Sequence, residues 1–425
     1  MQLDTTNSST PQKKINVYTI AWVIGMLFYF VEYAVRSAPS IMIPELSTFF
    51  GLTTVGVSAM VGTYYYTYSV TSLIAGIALD KAGAKYAVSV GIFILALGCL
   101  LFALSNAFTG NVARMLQGAG SAFAFPGCVY LAAKGFSSRS LATAIGFTQC
   151  MGMLGGTAGQ SVVGPWIHGG LSLPVFWIGA GLISLALCII LFFITPLENP
   201  VDAPAVPAKQ TSILQPYKIV FSNVQSYLCG LVSGLLFAPT TVFIMVWGIL
   251  FFQHDRQFSY EQATLISSMV PLGWVVGCPL LGWLADKAGK RKPVLVGGCI
   301  VMIASIAQLL YLPALVPAHI SMFVMGIGSG AAMLPYSIIK EVNPDEVKGS
   351  ATGAINFITF GVTSLLGPLF AMLFGKTLTT TNDHTAHFNS AGLFLIAGIA
   401  FAIVISLFLK ETGRPKVNEV VALNA

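Results

Sequence analysis

The chain has 425 residues, of which 56% are hydrophobic and only 8% carry a charge. A soluble protein has roughly 25% charged residues, so this chain has too few of them to cover a surface exposed to water. Its formal net charge of +6 reflects a scarcity of acidic residues rather than a basic patch, which argues against nucleic acid as a partner. The composition therefore predicts an integral membrane protein embedded in a lipid bilayer.

Long stretches without Asp, Glu, Lys or Arg mark the segments that could cross a bilayer, since a spanning helix needs about 20 apolar residues. Pro174 and the Gly169-Gly170 pair divide one long stretch into two spans, and Pro313 with Pro317 divides another. The sequence thus predicts an all-α membrane protein with twelve transmembrane helices, at residues 17–41, 54–79, 86–105, 108–132, 140–167, 172–195, 222–252, 262–285, 293–313, 317–339, 349–374 and 388–409.

The basic residues predict the orientation of these spans, because cytoplasmic loops are enriched in Lys and Arg. With both termini in the cytoplasm, the external loops contain only two basic residues, Arg256 and Lys376. Residues 1–16 and 411–425 are then cytoplasmic tails. The proline-rich segment 196–218 is a cytoplasmic linker, which joins an N-terminal bundle at 17–195 to a C-terminal bundle at 219–410.

The two predicted bundles contain the same loop motif at corresponding positions. Residues 120–126 and 328–335 form a second, similar pair. An internal repeat of this kind predicts two six-helix bundles related by an axis along the membrane normal, with the binding site between them near mid-membrane. The loop motif comprises Gly76, Asp80 and Gly83 after the second span, and Gly282, Asp286, Gly289 and Arg291 after the eighth.

The loop at 282–292 resembles the signature loop of the major facilitator superfamily, and 76–85 is similar to its first-half copy. Residues 114–120 resemble the superfamily's second motif. The resemblance implies a secondary transporter of the bacterial inner membrane that works by alternating access, with no enzymatic activity, cofactor or metal. Glycine permits a tight turn and aspartate can pair with a basic residue, so we expect both loops to gate the cytoplasmic side.

Glu32 and Arg36 in the first span are the most informative residues, since burying each at the bilayer centre costs at least ~2.5–3.5 kcal/mol. Their i, i+4 spacing places them on one helix face with Tyr29. We expect this face to line an aqueous cavity. The alternative is a structural, self-neutralising pair, which apolar residues could replace at little cost.

Arg36 is similar to the substrate-binding arginine of the superfamily's organic-anion members, and a guanidinium binds carboxylate or phosphate through paired hydrogen bonds. The surrounding pattern, with Tyr33 and Pro39, resembles a proteobacterial branch of intraphagosomal amino-acid transporters and siderophore importers. An amino acid or short peptide is therefore the favoured substrate. Carboxylate siderophores and organic or phosphorylated anions are alternatives, and a transporter-like ligand sensor is the alternative from another class.

A carboxylate that docks on Arg36 would weaken the hold of Arg36 on Glu32, so Glu32 could take up a proton as an anionic or zwitterionic substrate binds. This predicts proton symport. We also expect the protein to be a monomer, and Arg114 to act as a proton relay or as a contact between helices. Each further candidate for substrate binding also has a structural interpretation, as a packing ring, an interhelical hydrogen bond or an interfacial anchor. These candidates are Tyr29, Tyr33, Tyr64, Tyr65, Tyr68, Gln149, Trp247 and Asn356.

Overall fold

The computed structural model describes residues 17–136, 138–197, 214–254, 256–344, 347–380 and 384–413. Within these ranges the chain is helical and forms no strand. The α-helices are α1 (Val17–Ser37), α2 (Ile43–Phe50), α3 (Thr54–Phe102), α4 (Ala107–Ser121), α5 (Ala124–Gly135), α6 (Ser138–Ser161), α7 (Val163–His168), α8 (Leu173–Ile194), α9 (Gln215–Ser222), α10 (Val224–Ala238), α11 (Gly248–His254), α12 (Tyr260–Ala288), α13 (Lys292–Tyr311), α14 (Ala318–Ser329), α15 (Leu334–Glu341), α16 (Lys348–Thr380) and α17 (His384–Leu407).

The helices reproduce the predicted spans. In the described part of the chain, eight helices are long and apolar enough to cross a membrane, or nine if the bent pair Ile43–Phe50 and Thr54–Leu79 is one span. The other predicted spans are also helical: α4 with α5, α6 with α7, and α17. Arginine, glutamine and many glycines make α4 and α6 less apolar than the rest. The prediction of an all-α membrane fold is confirmed.

The signature loops turn at glycines with left-handed backbones. The second and third spans merge into α3, and the chain reverses inside it at Gly83, where φ is 69°. Gly289 ends α12 with φ of 65°. A residue with a Cβ rarely adopts such angles, so the glycine that recurs at the end of the loop motif has the same backbone role in both copies.

Two prolines interrupt the helices that border the centre of the molecule. After α1 the chain tightens into a 3₁₀ turn at Ala38–Ile41, with Pro39 inside it. After α10 it widens into a π-helix, Pro239–Trp247, in which every residue is buried. Proline cannot donate a backbone hydrogen bond to the preceding turn, and π-helical turns are frequent at functional sites.

Glycines in α6 bring it close to α1 and so fix the face that carries Glu32 and Arg36. A Cβ on Gly155 would lie 2.1 Å from the carbonyl oxygen of Phe30, and one on Gly159 would lie 2.2 Å from the Ser37 hydroxyl. Small residues allow this approach between helices in a membrane.

Helices α1–α8 pack mainly among themselves, as do α10–α17, and we call these groups the N-terminal and C-terminal halves. Helix α3 meets α16, and α6 meets α12, where the halves join. Most of the predicted linker 196–218 and the tails 1–16 and 411–425 lies outside the described residues. The bundle boundaries at 17–195 and 219–410 stay predictions.

Candidate functional site

Glu32 and Arg36 form an ion pair in the interior of α1, and neither is more than 1% exposed. The Tyr64 hydroxyl from α3 donates to the same carboxylate oxygen of Glu32 that accepts from Arg36. The same hydroxyl accepts a hydrogen bond from Arg36 Nε at 3.0 Å. Arg36 Nη1 has no hydrogen-bond partner among the described residues. Three side chains thus hold one another and leave Arg36 Nη1 and Glu32 Oε2 without a hydrogen-bond partner in the described part of the chain.

Arg114 of α4 lies against the same tyrosine, with its guanidinium carbon 4.9 Å from the Tyr64 ring centroid. It donates to Gln117 Oε1 at 2.6 Å and to the backbone oxygens of Val35 and Val61 at 3.3 and 3.4 Å. In the part of the chain that the structure describes, the charged residues that are buried are Glu32, Arg36 and Arg114. The interior therefore contains two positive groups for one negative group.

A narrow cavity, with room for about one water molecule, lies between the halves, next to this cluster. Its wall is mostly aromatic, and its polar groups are two amides and the hydroxyls of the tyrosines, as is typical of small-molecule sites. No group of metal-ligating side chains occurs in the described ranges. The lining residues are Tyr29, Tyr33, Tyr68, Phe125 and Gln149 from the N-terminal half, and Phe237, Met333, Tyr336, Asn356 and Phe360 from the C-terminal half.

Arg36 lies one layer behind this wall, which corrects the expectation that the face with Glu32 and Arg36 itself lines the cavity. The guanidinium carbon is 4.2 Å from the ring centroid of Tyr33, 4.7 Å from that of Tyr68 and 5.5 Å from that of Phe360. All three rings line the cavity, and cation–π attraction offsets part of the cost of burying the cation. A ligand in the cavity reaches Arg36 Nη1 only when one of these rings moves.

The predicted binding residues divide into two groups. Tyr29, Tyr33, Tyr68, Gln149 and Asn356 line the cavity, where the Tyr29 hydroxyl donates to Gln149 Oε1 at 3.4 Å. The structure places the others elsewhere.

Tyr64 is part of the buried ion-pair cluster. Tyr65 and Trp247 line a separate groove beside α16, and the Tyr65 hydroxyl is 3.5 Å from the carbonyl oxygen of Thr241. Helical periodicity places consecutive tyrosines on different sides of α3, but it does not say which side meets the cavity.

Sequence reasoning missed several lining residues, among them Phe125 and Tyr336. Phe125 belongs to the repeated segment 120–126, and Tyr336 directly follows its partner segment 328–335. The internal repeat could therefore have predicted these two lining residues, since equivalent segments of the two halves meet at the cavity. No sequence pattern distinguishes Phe237 or Phe360 from the other phenylalanines.

Contacts between the halves occur on both sides of the cavity. Towards the end where the signature loops lie, which we call the loop end, the Ser69 hydroxyl donates to the carbonyl oxygen of Phe357 at 2.6 Å. Towards the opposite end, the Tyr260 hydroxyl donates to the carbonyl oxygen of Ile41 at 2.9 Å. The cavity thus lies between two sets of contacts that a transported ligand would have to break one at a time.

In the second signature loop, Arg291, which directly precedes α13, connects α12 with α15 in the C-terminal half. Arg291 Nη1 donates to Asp286 Oδ1 at 2.6 Å, and Nη2 donates to Glu341 Oε1, at the end of α15, at 3.0 Å. Partial burial lowers the pKa of Arg291, but the hydrogen bonds and charges of Glu341 and Asp286 outweigh burial, so the pKa lies above its ordinary value. These contacts stay within one half and do not by themselves join it to the other.

The other predicted loop residues differ in their surroundings. A Cβ on Gly76 would lie 3.1 Å from the Tyr217 hydroxyl, whereas one on Gly282 would meet nothing within 4 Å. Glycine at this position therefore allows a close contact in the first copy of the motif, whereas the second copy has space for a side chain. The side chain of Asp80 lies outside the described part of the chain.

Comparison with known proteins agrees with this architecture. The family model of the Major Facilitator Superfamily matches residues 25–368. The probable galactarate/D-glucarate transporter GudP of Bacillus subtilis (strain 168) is 22% identical over 437 residues, which cover 92% of this chain and 92% of that relative. The membrane sensor protein UhpC of Escherichia coli (strain K12) is 22% identical over 421 residues, 91% of this chain and 90% of that relative.

Among solved structures, a bacterial homologue of the human lysosomal transporter Spinster, in an inward-facing and unoccupied conformation, is similar in fold. Its TM-score is 0.66 at 13% identity, and the match covers 92% of this chain and 95% of that one. The matched family is one of transporters rather than enzymes. With the family model matching most of an all-helical chain, this protein belongs to the Major Facilitator Superfamily.

Proposed function

We propose that this protein carries a small carboxylate-bearing organic anion across the bacterial inner membrane by proton symport, as a monomer with alternating access. The observation that carries the proposal is the charge of the interior, where two guanidinium groups, Arg36 and Arg114, and one carboxylate, Glu32, are buried in the described part of the chain. A buried charge without a counter-charge is costly. An anionic substrate would offer an acceptor to Arg36 Nη1 and supply the negative charge that Glu32 loses when it binds a proton.

The lining of the cavity also ranks the substrate classes. A zwitterionic amino acid or short peptide brings an ammonium group as well as a carboxylate, and the lining residues include no carboxylate to pair with that ammonium. Anions therefore take precedence over amino acids, and sugar acids lead among them because the relative GudP is named for galactarate and D-glucarate. Carboxylate siderophores and phosphorylated anions are alternatives that bring the same type of acceptor to a guanidinium.

Proton coupling follows from the contacts of Glu32. A substrate carboxylate at Arg36 would compete with Glu32 for the guanidinium. Glu32, deprived of part of this hydrogen bonding in a dry interior, would then bind a proton. Substrate and proton would enter the occluded state together. Arg114, whose partners described above are neutral, would hold Tyr64 in place rather than bind the substrate.

Uptake by the full chain in proteoliposomes tests both parts of the proposal. The probes are galacturonate, a neutral hexose and an amino acid, each with and without an inward proton gradient. We expect galacturonate to accumulate only with the gradient. Glu32→Gln should still exchange galacturonate across the membrane but lose gradient-driven accumulation, and Glu261→Gln, which alters an exposed glutamate, should behave as wild type.

Gradient-driven accumulation that survives Glu32→Gln would refute the coupling role. A preference for the amino acid over galacturonate, unaffected by Arg36→Gln, would refute the anion assignment.

A ligand sensor is the second candidate, favoured by the similarity to the membrane sensor protein UhpC over most of both chains. A sensor would bind galacturonate with the same dependence on Arg36 but would not move it. Saturable binding to the purified protein without any uptake in proteoliposomes would favour this candidate.

We further propose that the loop end and both termini lie in the cytoplasm, because the Lys and Arg residues concentrate there. Lys290, an exposed residue of the second signature loop, provides the test. Lys290→Cys should react with a membrane-impermeant maleimide in inverted vesicles and stay unlabelled in right-side-out vesicles. The reverse pattern would overturn this orientation.

A further inference from the structure

The C-terminal half contributes a buried hydrogen-bond donor to the cavity wall. Asn356 lies in α16 and is 3% exposed. The Tyr336 hydroxyl of α15 donates to Asn356 Oδ1 at 2.6 Å. Asn356 Nδ2 has no hydrogen-bond partner in the described part of the chain. A buried amide donor without an acceptor is costly, so this nitrogen is poised to bind a group that enters the cavity.

The position of this donor relative to Arg36 suggests what it would bind. Phe360, one helical turn after Asn356, has its ring centroid 5.5 Å from the Arg36 guanidinium carbon. Two unpartnered nitrogens therefore lie near one small cavity: Asn356 belongs to its wall, and Arg36 lies directly behind the rings that complete the wall. Once one of these rings has moved, a single ligand that offers an acceptor to each nitrogen would connect the two halves.

We propose that Asn356 is a specificity-determining residue that binds an uncharged oxygen acceptor, a hydroxyl or carbonyl, of the substrate whose carboxylate binds Arg36. Tyr336 is a positioning residue that fixes the amide with Nδ2 towards the cavity. This inference builds on the proposed function and narrows the substrate class to hydroxylated or carbonyl-bearing carboxylates. A site that contains a buried donor rejects analogues without the matching acceptor, because they leave the donor unsatisfied.

Matched ligands of one chain length test this assignment. Gluconate and hexanoate each have six carbons and one carboxylate, but only gluconate carries hydroxyls. Glucarate and adipate form the corresponding dicarboxylate pair. Binding is measured by calorimetry on the full chain in nanodiscs. For the wild type we expect at least tenfold tighter binding of the hydroxylated member of a pair.

Two variants distinguish the role of the Asn356 amide from that of the Tyr336 hydroxyl that positions it. The double variant Asn356→Leu/Tyr336→Phe replaces both hydrogen-bond partners with apolar groups of similar size, which avoids a new unpaired hydroxyl. It should weaken gluconate binding at least tenfold and change hexanoate binding less than twofold. The single variant Tyr336→Phe, which keeps the amide, should weaken gluconate binding only about two- to threefold.

An equal loss for gluconate and hexanoate, or no loss for gluconate, would overturn the role of Asn356 while leaving the carboxylate site intact. If binding of all four carboxylates instead survives Arg36→Gln, or none of them binds the wild type, the proposed function fails and this assignment fails with it.

Discussion

The hydroxyl of Tyr217, in the short helix α9, donates a hydrogen bond to the backbone carbonyl oxygen of Leu73 in α3, at 3.0 Å. This bond joins α9, which precedes the C-terminal half and packs against α16 and α10 of that half, to the N-terminal half at the loop end. A Cβ on Gly76 would lie 3.1 Å from the same hydroxyl, and one on Gly353 of α16 would lie 2.8 Å from it. Two glycines, one from each half, thus make room for the tyrosine, which gives the signature glycine Gly76 a role in contacts between the halves.

Gly353→Ala should destabilise this contact, because the new methyl group would lie too close to the Tyr217 hydroxyl. Overpacking of a well-packed site costs typically about 1–3 kcal/mol. We expect a lower melting temperature of the purified protein and faster labelling of a cysteine introduced at Ser72, on the loop-end side of the cavity.

Two variants make this prediction specific. Tyr217→Phe lacks the clashing hydroxyl and should restore part of the stability of Gly353→Ala. Gly349→Ala, in the same helix but with nothing within 4 Å of its Cβ position, should melt like wild type. A Gly349→Ala variant as unstable as Gly353→Ala would show that the loss comes from the helix backbone and not from Tyr217.

The turn glycine of the first signature loop should be the least replaceable residue of the motif. Gly83 has φ of 69° and ψ of 172°, a region that costs about 1–3 kcal/mol for residues with a Cβ. Gly83→Ala should therefore lower the free energy of unfolding in denaturant by that amount. Gly282→Ala, whose Cβ would meet nothing within 4 Å, should change it by less than about 0.5 kcal/mol. Equal effects of the two substitutions would contradict this account of the motif.

Tyr64→Phe should impair transport without unfolding the protein, because the hydroxyl bonds both members of the ion pair. A hydrogen bond to a charged group contributes about 1.5–3 kcal/mol, which corresponds to roughly a tenfold or greater loss in the initial rate of uptake. Tyr66→Phe is the matched control, since Tyr66 lies in the same helix and is 42% exposed. Uptake by Tyr64→Phe at the wild-type rate would mean that Glu32 and Arg36 suffice for transport without the Tyr64 hydroxyl.

Arg291→Ala should lower stability by at most about 1 kcal/mol, since its partners Asp286 and Glu341 are 71% and 34% exposed. The pKa of Arg291 is raised in the folded protein, so its stabilisation is complete at any pH below the already high pKa of an unfolded arginine and is lost only as the pH rises from there through the still higher pKa of the folded state. The difference between variant and wild type in denaturant unfolding should therefore be the same at about pH 7 and about pH 9.

Lys290→Ala, which removes an exposed charge from the same loop, serves as the control for Arg291→Ala. A difference for Arg291→Ala that vanishes at the higher pH would show that the network depends on a group that titrates in this range, and not on the guanidinium.

The sequence by itself determined the helices, because apolar runs of spanning length have no other stable structure in a bilayer. It also identified Glu32 and Arg36, since a charge in such a run is expensive wherever the helix packs. The glycine that ends each signature loop was likewise predictable, because positive φ is a local property of the backbone. None of these features depends on which helices become neighbours.

Only the tertiary structure decided what surrounds those residues. The rings of Tyr33, Tyr68 and Phe360 cover Arg36 from three different helices, and the Tyr336 hydroxyl fixes Asn356 from a fourth. Helical periodicity says which residues share a face but not what that face meets. Cavity walls and unpartnered donors arise from contacts between residues that are far apart in the chain, and side-chain packing alone sets those contacts.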